Sequence, residues 1–377
     1  MNDPIKVLHV VSVDKENYYL NNLVDFSSPD EVEFSFVTFA GECDFGRSLE
    51  KRGNRVYYLN ALRRSEYPRG FKQLWSILKS EDPDIVHTHL FDASVLGLTA
   101  AKLQKRKTVL TRHHSDAVHE IQSPLKRRFY LGLENYISRN SDHIIAPSRM
   151  VREYLVDKEG VADEKVTVIP YGQTIERFES ITSEQVEDIR IELGMAESLA
   201  LVCVSRLYDR KGHIYLFQAL SDLFKSGLSA KLYLVGAGDH QPVLEKQASE
   251  LGIAERVKFL GWRNDALAIM KAADMIVHPS LEDALSSAVI ESVMLEKPII
   301  ATDISGVRDS LGDGRYGKIV PPADAASFRD ALQEVLGDME TAKERASKGR
   351  EYLLEYMDAG RVAREYTSIY QKVNAKV

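Results

Sequence analysis

Three groups of residues in this chain have the types and spacing that chemistry requires. The first lies in HPSLEDALSSAVIE, around Asp283–Glu291. Ser286 and Ser287 are residues of the kind that cap helices. A helix starting there leaves the N–H groups of Ser287 and Ala288 available to an anion. Glu291 falls one turn further on, on the Ser287 face. A carboxylate is a poor partner for a phosphate but a good acceptor for sugar hydroxyls. Phosphate plus diol describes a nucleotide. The second group is Arg206 and Lys211 in VSRLYDRKGH. A forked cation and a point charge just past a strand suit a diphosphate. The third is His89, His113 and His114, at strand ends where imidazole serves as acid, base or hydrogen-bond donor. Each group also has a plainer reading: a capped helix with an exposed Glu, two solvated cations, and histidines satisfied within a core.

The first group needs a strand, a loop and a helix to position it. Met275–His278 reads as a buried strand, Pro279–Leu285 as a loop and Ala288–Leu295 as a helix. Lys297-Pro298 stops the helix, and Pro298–Thr302 is the next strand. Such loops lie at the carboxyl ends of a parallel sheet, where ligands bind. Upstream, Ile5–Val13, Glu33–Phe39, Arg55–Leu59, Asp84–His89, Lys107–Arg112, His143–Ala146 and Val166–Pro170 read as strands between helical segments. One of those helices, Leu125–Arg139, carries Leu125, Phe129, Leu133, Tyr136 and Ile137 on one stripe. Tyr171–Ser198 is polar and acidic, carries a short helix over Ser183–Leu193, and reads as a connection. The alternation then resumes with Leu199–Ser205, Lys231–Val235 and Val257–Leu260, and ends in helical segments over Ala325–Gly337 and Glu340–Val377. This predicts two doubly wound parallel sheets with a cleft between them. The expected limits are 1–175, a linker over 176–198, 199–350, and a last helix over 351–377.

A length of 377 residues fits two domains. The net charge of -7 argues against nucleic-acid binding. Cys43 and Cys203 fit no zinc or redox spacing and read as core thiols of a reducing compartment. No apolar run reaches the ~20 residues of a membrane span. Ile5–Val13 reads as a strand rather than a signal peptide, so a cytoplasmic protein is expected. There is no HExxH, Cys cluster or strand-end acidic pair, and no metal site is expected. Residues 101–130 run against the overall charge, with eight Lys or Arg against Asp116 and Glu120. Lys126, Arg127 and Arg128 open a helix, where the macrodipole disfavours cations. An anionic lipid surface, a phosphorylated acceptor or a solvated face would each account for the segment Lys102–Arg128. Gly236-Ala-Gly238 begins like a dinucleotide fingerprint, but Gln241 replaces its third glycine. It reads as a tight turn near a base or as a strand exit, and Gly261-Trp262-Arg263 is a second such exit.

Together these residues resemble the retaining glycosyltransferases of family 4, which have the GT-B fold. VSRLYDRKG, LVGAGD and KFLGWRND are similar to that family's successive strand exits. HPSLEDALSSAVIE resembles its E-x7-E segment, with Asp283 and Glu291 at the acidic positions. TDISGVRDSLGDGRYGKIVPPAD resembles the segment that follows, and DIVHTH, TRHH and IAPS…VIPYG match in order in the first half. The resemblance implies an α/β protein of two Rossmann-like domains facing across a cleft, with the C-terminal helix crossing back to the N-terminal domain. It implies a UDP- or GDP-sugar donor on the second domain, a glycan or lipid-linked acceptor on the first, retention of configuration, and no required metal or other cofactor. Carried over by position, His113, Arg206, Lys211 and Asp283 are catalytic. Gly236, Arg263, Ser286, Ser287, Ala288 and Glu291 join Arg206, Lys211 and Asp283 around the donor. His89, His114, Lys126, Arg127 and Arg128 fall to the acceptor.

The chain departs from the family pattern in three places. Asp283, with Glu282 beside it, replaces the usual Glu. Ala284-Leu285-Ser286 replaces Gly-Phe-Gly. SVDKENY at Ser12–Tyr18 replaces a glycine-rich turn. The rival readings are a nucleotide-sugar epimerase and a non-catalytic nucleotide-sugar-binding module. A hydride-transfer enzyme is disfavoured by the incomplete fingerprint at Gly236–Gln241.

Overall fold

The computed structural model describes residues 3–15, 17–113, 123–283 and 285–375. The chain forms two compact units, Met1–Thr174 with Met357–Val377 and Ile175–Tyr356. The first holds β1 (Ile5–Val11), β2 (Val32–Thr38), β3 (Arg55–Tyr58), β4 (Ile85–His89), β5 (Lys107–Thr111), β6 (His143–Ala146) and β7 (Val166–Val168). They make one parallel sheet in the order β3-β2-β1-β4-β5-β6-β7. Its central strands are almost continuously buried because helices cover both faces, although β4 carries His87, Thr88 and His89. On one face Val7, Val11 and Val109 pack with Leu20, Leu23, Tyr366 and Tyr370. On the other, Leu8, Val10 and Val86 pack with Leu74, Leu78 and Ala93.

The last helix, Ala359–Ala375, belongs to the first unit. Its buried positions Val362, Ala363, Tyr366, Ile369, Tyr370 and Val373 recur at helical spacing. Burying each large apolar side chain stabilises the docked helix by about 1.5–3 kcal/mol before ordering costs. The helix expected over Glu340–Val377 is two helices, Met339–Tyr356 and Ala359–Ala375. Asp358 separates them, accepting from the Arg361 N–H at 2.6 Å. The chain passes from the second unit back to the first at this break.

The second unit holds β8 (Leu199–Val204), β9 (Ala230–Val235), β10 (Val257–Gly261), β11 (Met275–His278), β12 (Ile299–Thr302) and β13 (Lys318–Val320). Their order is β10-β9-β8-β11-β12-β13, again all parallel. The winding reverses between β8 and β11, so the loops after these two strands flank the place where such sheets bind ligands.

Two expectations need correction. Residues 176–198 do not stand apart as a linker but are built into the second unit. Thr182 and Gln185 form a capping box that starts the helix Ser183–Glu192. Ile189 of that helix is buried, and Arg190 donates to the Ala272 carbonyl. The amphipathic helix, observed as Pro124–Asn140, does not bury its whole stripe. Ile137 is buried, Leu133 and Tyr136 are half-buried, and Leu125 and Phe129 are 82% and 63% exposed. Periodicity gives a helix its apolar stripe without supplying anything to cover it.

Cys43 and Cys203 are buried free thiols. Burial pushes the Cys203 thiol up to about 12. No helix among the described residues is long and apolar enough to cross a membrane.

Candidate active site

In the second unit, the loops after β8 and β11 are pressed together. Gly212 has φ +63, and a Cβ there would lie 2.2 Å from the Pro279 carbonyl oxygen. Only glycine supplies this combination of left-handed backbone and close approach. The Leu281 N–H donates to the Arg210 carbonyl at 2.9 Å and ties the loops further. Lys211, next to Gly212, is thereby drawn inward to 8% exposure. Its ammonium donates to Asp283 Oδ2 at 2.9 Å and to the Glu282 carbonyl at 3.3 Å. Arg210 stands 3.7 Å from Glu282. The Lys211 and Asp283 groups, separate in sequence, therefore form one site. Arg206, on the same β8 exit, is exposed. Its guanidinium lies 5.3 Å from the Tyr208 ring centroid, and it has no ion pair among the described residues.

The helix after β11 starts at Ser287, and Ser286 occupies the capping position without a side-chain cap bond. Its first backbone bond runs from the Ile290 N–H to the Ser286 carbonyl. The amides of Ser287, Ala288 and Val289 therefore precede the helical ladder. Glu291 follows one turn on, ion-paired with Arg177 of the short helix Glu176–Glu179. Burial holds the Glu291 carboxyl above its usual range, and Arg177 opposes that shift. Sequence reading missed Arg177 because its segment read as a connection.

His278, at the end of β11, is 2% exposed, and neither ring nitrogen has a hydrogen-bond partner among the described residues. Burial pushes it down to about 4, against the pull of the Asp283 carboxylate. An imidazole with two unmet polar atoms is costly inside a protein. A bound water or ligand group is the ordinary remedy.

Two residues expected around the donor have other duties. A Cβ at Gly236 would lie 2.0 Å from the Ser205 carbonyl oxygen. That glycine lets the β9 exit cross the β8 exit, whatever else it meets. Arg263 donates to both Asp265 oxygens at 2.8 and 2.7 Å and to Glu192 at 2.8 Å, so its fork is filled by protein carboxylates.

In the first unit, β5 carries the chain to His113, which is 9% exposed. Arg112 anchors this end, bonded to Glu134 at 3.0 Å and Glu159 at 2.9 Å. His113 Nδ1 is hydrogen-bonded to the Tyr171 hydroxyl at 2.6 Å. Its Nε2 lies 3.2 Å from the Tyr19 hydroxyl and 3.3 Å from His89 Nδ1. His89, expected beside the acceptor, is 1% exposed and sits behind His113. Tyr19, Tyr171 and His9 were not singled out from sequence. His114 lies outside the described residues. Lys126, Arg127 and Arg128 are exposed on the first turn of their helix, flanked by the exposed Leu125 and Phe129.

Comparison with known proteins matches both units. The model of the Glycosyltransferase Family 4 domain matches residues 18–177, and that of Glycosyl transferases group 1 matches residues 185–352. The chain is 28% identical over 269 residues to the Escherichia coli UDP-Gal:alpha-D-GlcNAc-diphosphoundecaprenol alpha-1,3-galactosyltransferase, covering 70% of this chain and 69% of that one. It is 25% identical over 308 residues to the 2-deoxystreptamine glucosyltransferase of Streptomyces kanamyceticus, covering 78% of each. Among solved structures, Anabaena Alr3699/HepE in complex with UDP superposes with a TM-score of 0.82 at 20% identity, over 98% of this chain and 100% of that one. The two family matches follow one another along the chain, each falling on a Rossmann-like sheet of the GT-B type, and the chain belongs to the family 4, group 1 glycosyltransferases.

Proposed function

We propose that this glycosyltransferase moves a hexose or N-acetylhexosamine from a nucleotide-diphosphate sugar, with retention of configuration, and that its second unit holds the donor without a metal. The observation that carries the reading is the joined pair of loops after β8 and β11. They gather an exposed arginine, a buried lysine and unladdered helix amides at the switch point of one sheet. A departing nucleotide diphosphate gains negative charge as the glycosidic bond breaks. Arg206 grips its oxygens, and Lys211, aimed by Asp283, neutralises the growing charge. The amides of Ser287 and Ala288 serve the same anion. Glu291 takes the ribose hydroxyls, sharing its carboxylate with Arg177. His113, on the first unit, serves the reacting sugar.

Uridine is the favoured base over guanosine. UDP-Gal is in the name of the Escherichia coli relative, and the Anabaena structure is a complex with UDP. The acceptor proposed is a lipid-linked glycan intermediate at an anionic surface. Three exposed cations between two exposed apolar side chains suit a ligand that is both charged and oily. The Escherichia coli relative's name specifies such a molecule, a diphosphoundecaprenol.

The test is calorimetric titration of UDP- and GDP-sugars, followed by a transfer assay in excess EDTA with lipid-linked and free glycan acceptors. Donor binding with full transfer in EDTA is expected. Loss of transfer restored by magnesium or manganese overturns the metal-free reading. Consumption of the donor to an isomeric nucleotide sugar without acceptor would mean an epimerase, and binding without release of nucleotide a binding module.

A further inference from the structure

The first unit contains three histidines behind and around His113, namely His9, His87 and His89, which the donor chemistry does not use. Parallel pairing sets His9 of β1 opposite His87 of β4. Alternation along β4 returns His89 to the same face. His9 and His87 are 0% exposed and His89 is 1% exposed. Burial pushes His9 down to about 3 and holds His87 and His89 well below the ordinary imidazole range, so all three are neutral.

The contacts between them form a single line. The Tyr171 hydroxyl meets His113 Nδ1 at 2.6 Å, and His113 Nε2 meets the Tyr19 hydroxyl at 3.2 Å. That hydroxyl meets His89 Nδ1 at 2.8 Å, and His89 Nε2 meets His9 Nδ1 at 2.9 Å. His9 Nε2 is 3.5 Å from the Tyr370 hydroxyl, the longest link. Tyr370 meets His87 Nδ1 at 2.8 Å, and His87 Nε2 meets Thr111 Oγ1 at 2.8 Å. His113 Nε2 also lies 3.3 Å from His89 Nδ1, which closes a corner around Tyr19 without adding a branch.

A neutral imidazole carries one N–H and one bare nitrogen, and a phenol carries one O–H. In a line of such groups, each interior member donates once and accepts once. If Tyr171 donates to His113, then His113 donates through Nε2 to Tyr19. The same sense then runs through His89, His9 and Tyr370 to His87. All four histidines are then Nε2–H tautomers. If the sense is reversed, all four are Nδ1–H tautomers. A mixed set leaves one buried link with two protons facing or none, or a phenol that accepts from both sides and whose own O–H loses its partner in the line, at a cost of about 1–3 kcal/mol.

We infer that this line is a proton-ordered chain in which His9 and His89 are positioning residues that couple the tautomer of His113 to their own. The order reaches His113 from a histidine on another strand, and Tyr370 of the C-terminal helix extends it to His87. A metal on the trio is the competing use of the same atoms, since ligand atoms of His9, His87 and His89 all lie within 4.8 Å of one another. That use would remove ring nitrogens from the line. It would also place an ion's charge where the described partners are neutral hydroxyls and imidazoles.

The experiment is nitrogen NMR on the full chain labelled with 15N-histidine at pH 7, without donor. Imidazole nitrogen shifts and their couplings to ring protons report the tautomer, and single replacements assign the signals. One shared tautomer for His9, His87, His89 and His113 is expected. Differing tautomers among the four, or stoichiometric metal in the purified protein bound by the trio, overturns the inference. His9→Phe keeps a flat ring beside Phe34 and Phe36 but cuts the line, and His9→Gln can both donate and accept. The His113 tautomer ratio should shift in His9→Phe and return toward that of the unmodified chain in His9→Gln. An unchanged His113 tautomer ratio in a folded His9→Phe also overturns it. The kinetic arm rests on the reading of His113 as a group at the reacting sugar. There kcat should fall severalfold in His9→Phe with donor affinity unchanged, and recover in His9→Gln. A shifted tautomer ratio with an unchanged kcat would leave the chain standing and overturn that reading of His113.

Discussion

Arg206 and Lys211 have the same proposed task but different surroundings, and this difference separates catalysis from stability. Arg206 is exposed and has no ion pair among the described residues. Arg206→Ala should therefore change stability by no more than about 0.5 kcal/mol, as for a surface site. In a unit of this size, that is a melting shift within about 2 °C. If its fork stabilises charge that grows toward the transition state, kcat should still fall by about 10²–10³, as when one oxyanion donor is removed. Lys211 is 8% exposed, and Asp283, its partner at 2.9 Å, has a side chain 24% exposed. Removing one partner of a fully buried pair costs about 3–5 kcal/mol. Partial exposure of Asp283 lets water replace some of the lost interaction, so Lys211→Met should cost about 1–3 kcal/mol in stability. Its kcat should fall as far as that of Arg206→Ala. Thermal melts and steady-state kinetics on both variants, with Arg206→Lys for partial recovery, measure the four quantities. Normal kcat in Arg206→Ala refutes the charge-stabilising role. Destabilisation of Arg206→Ala equal to that of Lys211→Met refutes the structural argument.

Glu291→Gln should weaken donor binding by about 1.5–3 kcal/mol, the range for hydrogen bonds to a charged group, and titration calorimetry showing equal affinity would remove the ribose role. Acid should destabilise the fold through its buried neutral histidines. His9 and His213 are pushed down to about 3 and His278 to about 4 in the folded chain, so between those values and 6.5 the unfolded chain binds more protons. Stability is present above pH 6.5 and is lost as pH falls, by about 1.4 kcal/mol per unit for each such histidine; melting temperatures equal at pH 7 and pH 5 would contradict this. Liposome flotation should require anionic lipid and fade with salt, and it should weaken in Leu125→Ser with Phe129→Ser. Flotation that ignores lipid charge, or none at all, would argue against the lipid-surface role.

What the sequence revealed depended on how local the information was. Strands alternating with helices fix a doubly wound sheet, because each strand's apolar run and each strand-end loop are written within a few residues. The loops after β8 and β11 were legible as candidate ligand loops for that reason, but the close approach at Gly212 that joins them was not. The pairings inside the site were not legible. Arg177 and Glu291 are 114 residues apart, and His9 and His89 are 80 apart. Strand order and register bring them together, and neither is encoded near either residue. Arg263 illustrates the reverse failure. A cation at a strand exit suggested a ligand, but Glu192, on a helix read as a connection, already occupies its fork. A charged side chain in a motif is thus only a candidate until its protein partners are counted. By that count Arg206 remains available, Lys211 is aimed, Arg263 is spent, and Glu291 must share its carboxylate with Arg177. The proposed donor site would therefore depend on the helix Glu176–Glu179, at the point where the chain enters the second unit. Removing Arg177 should alter donor affinity through Glu291, and titration calorimetry showing equal affinity in Arg177→Ala would contradict this.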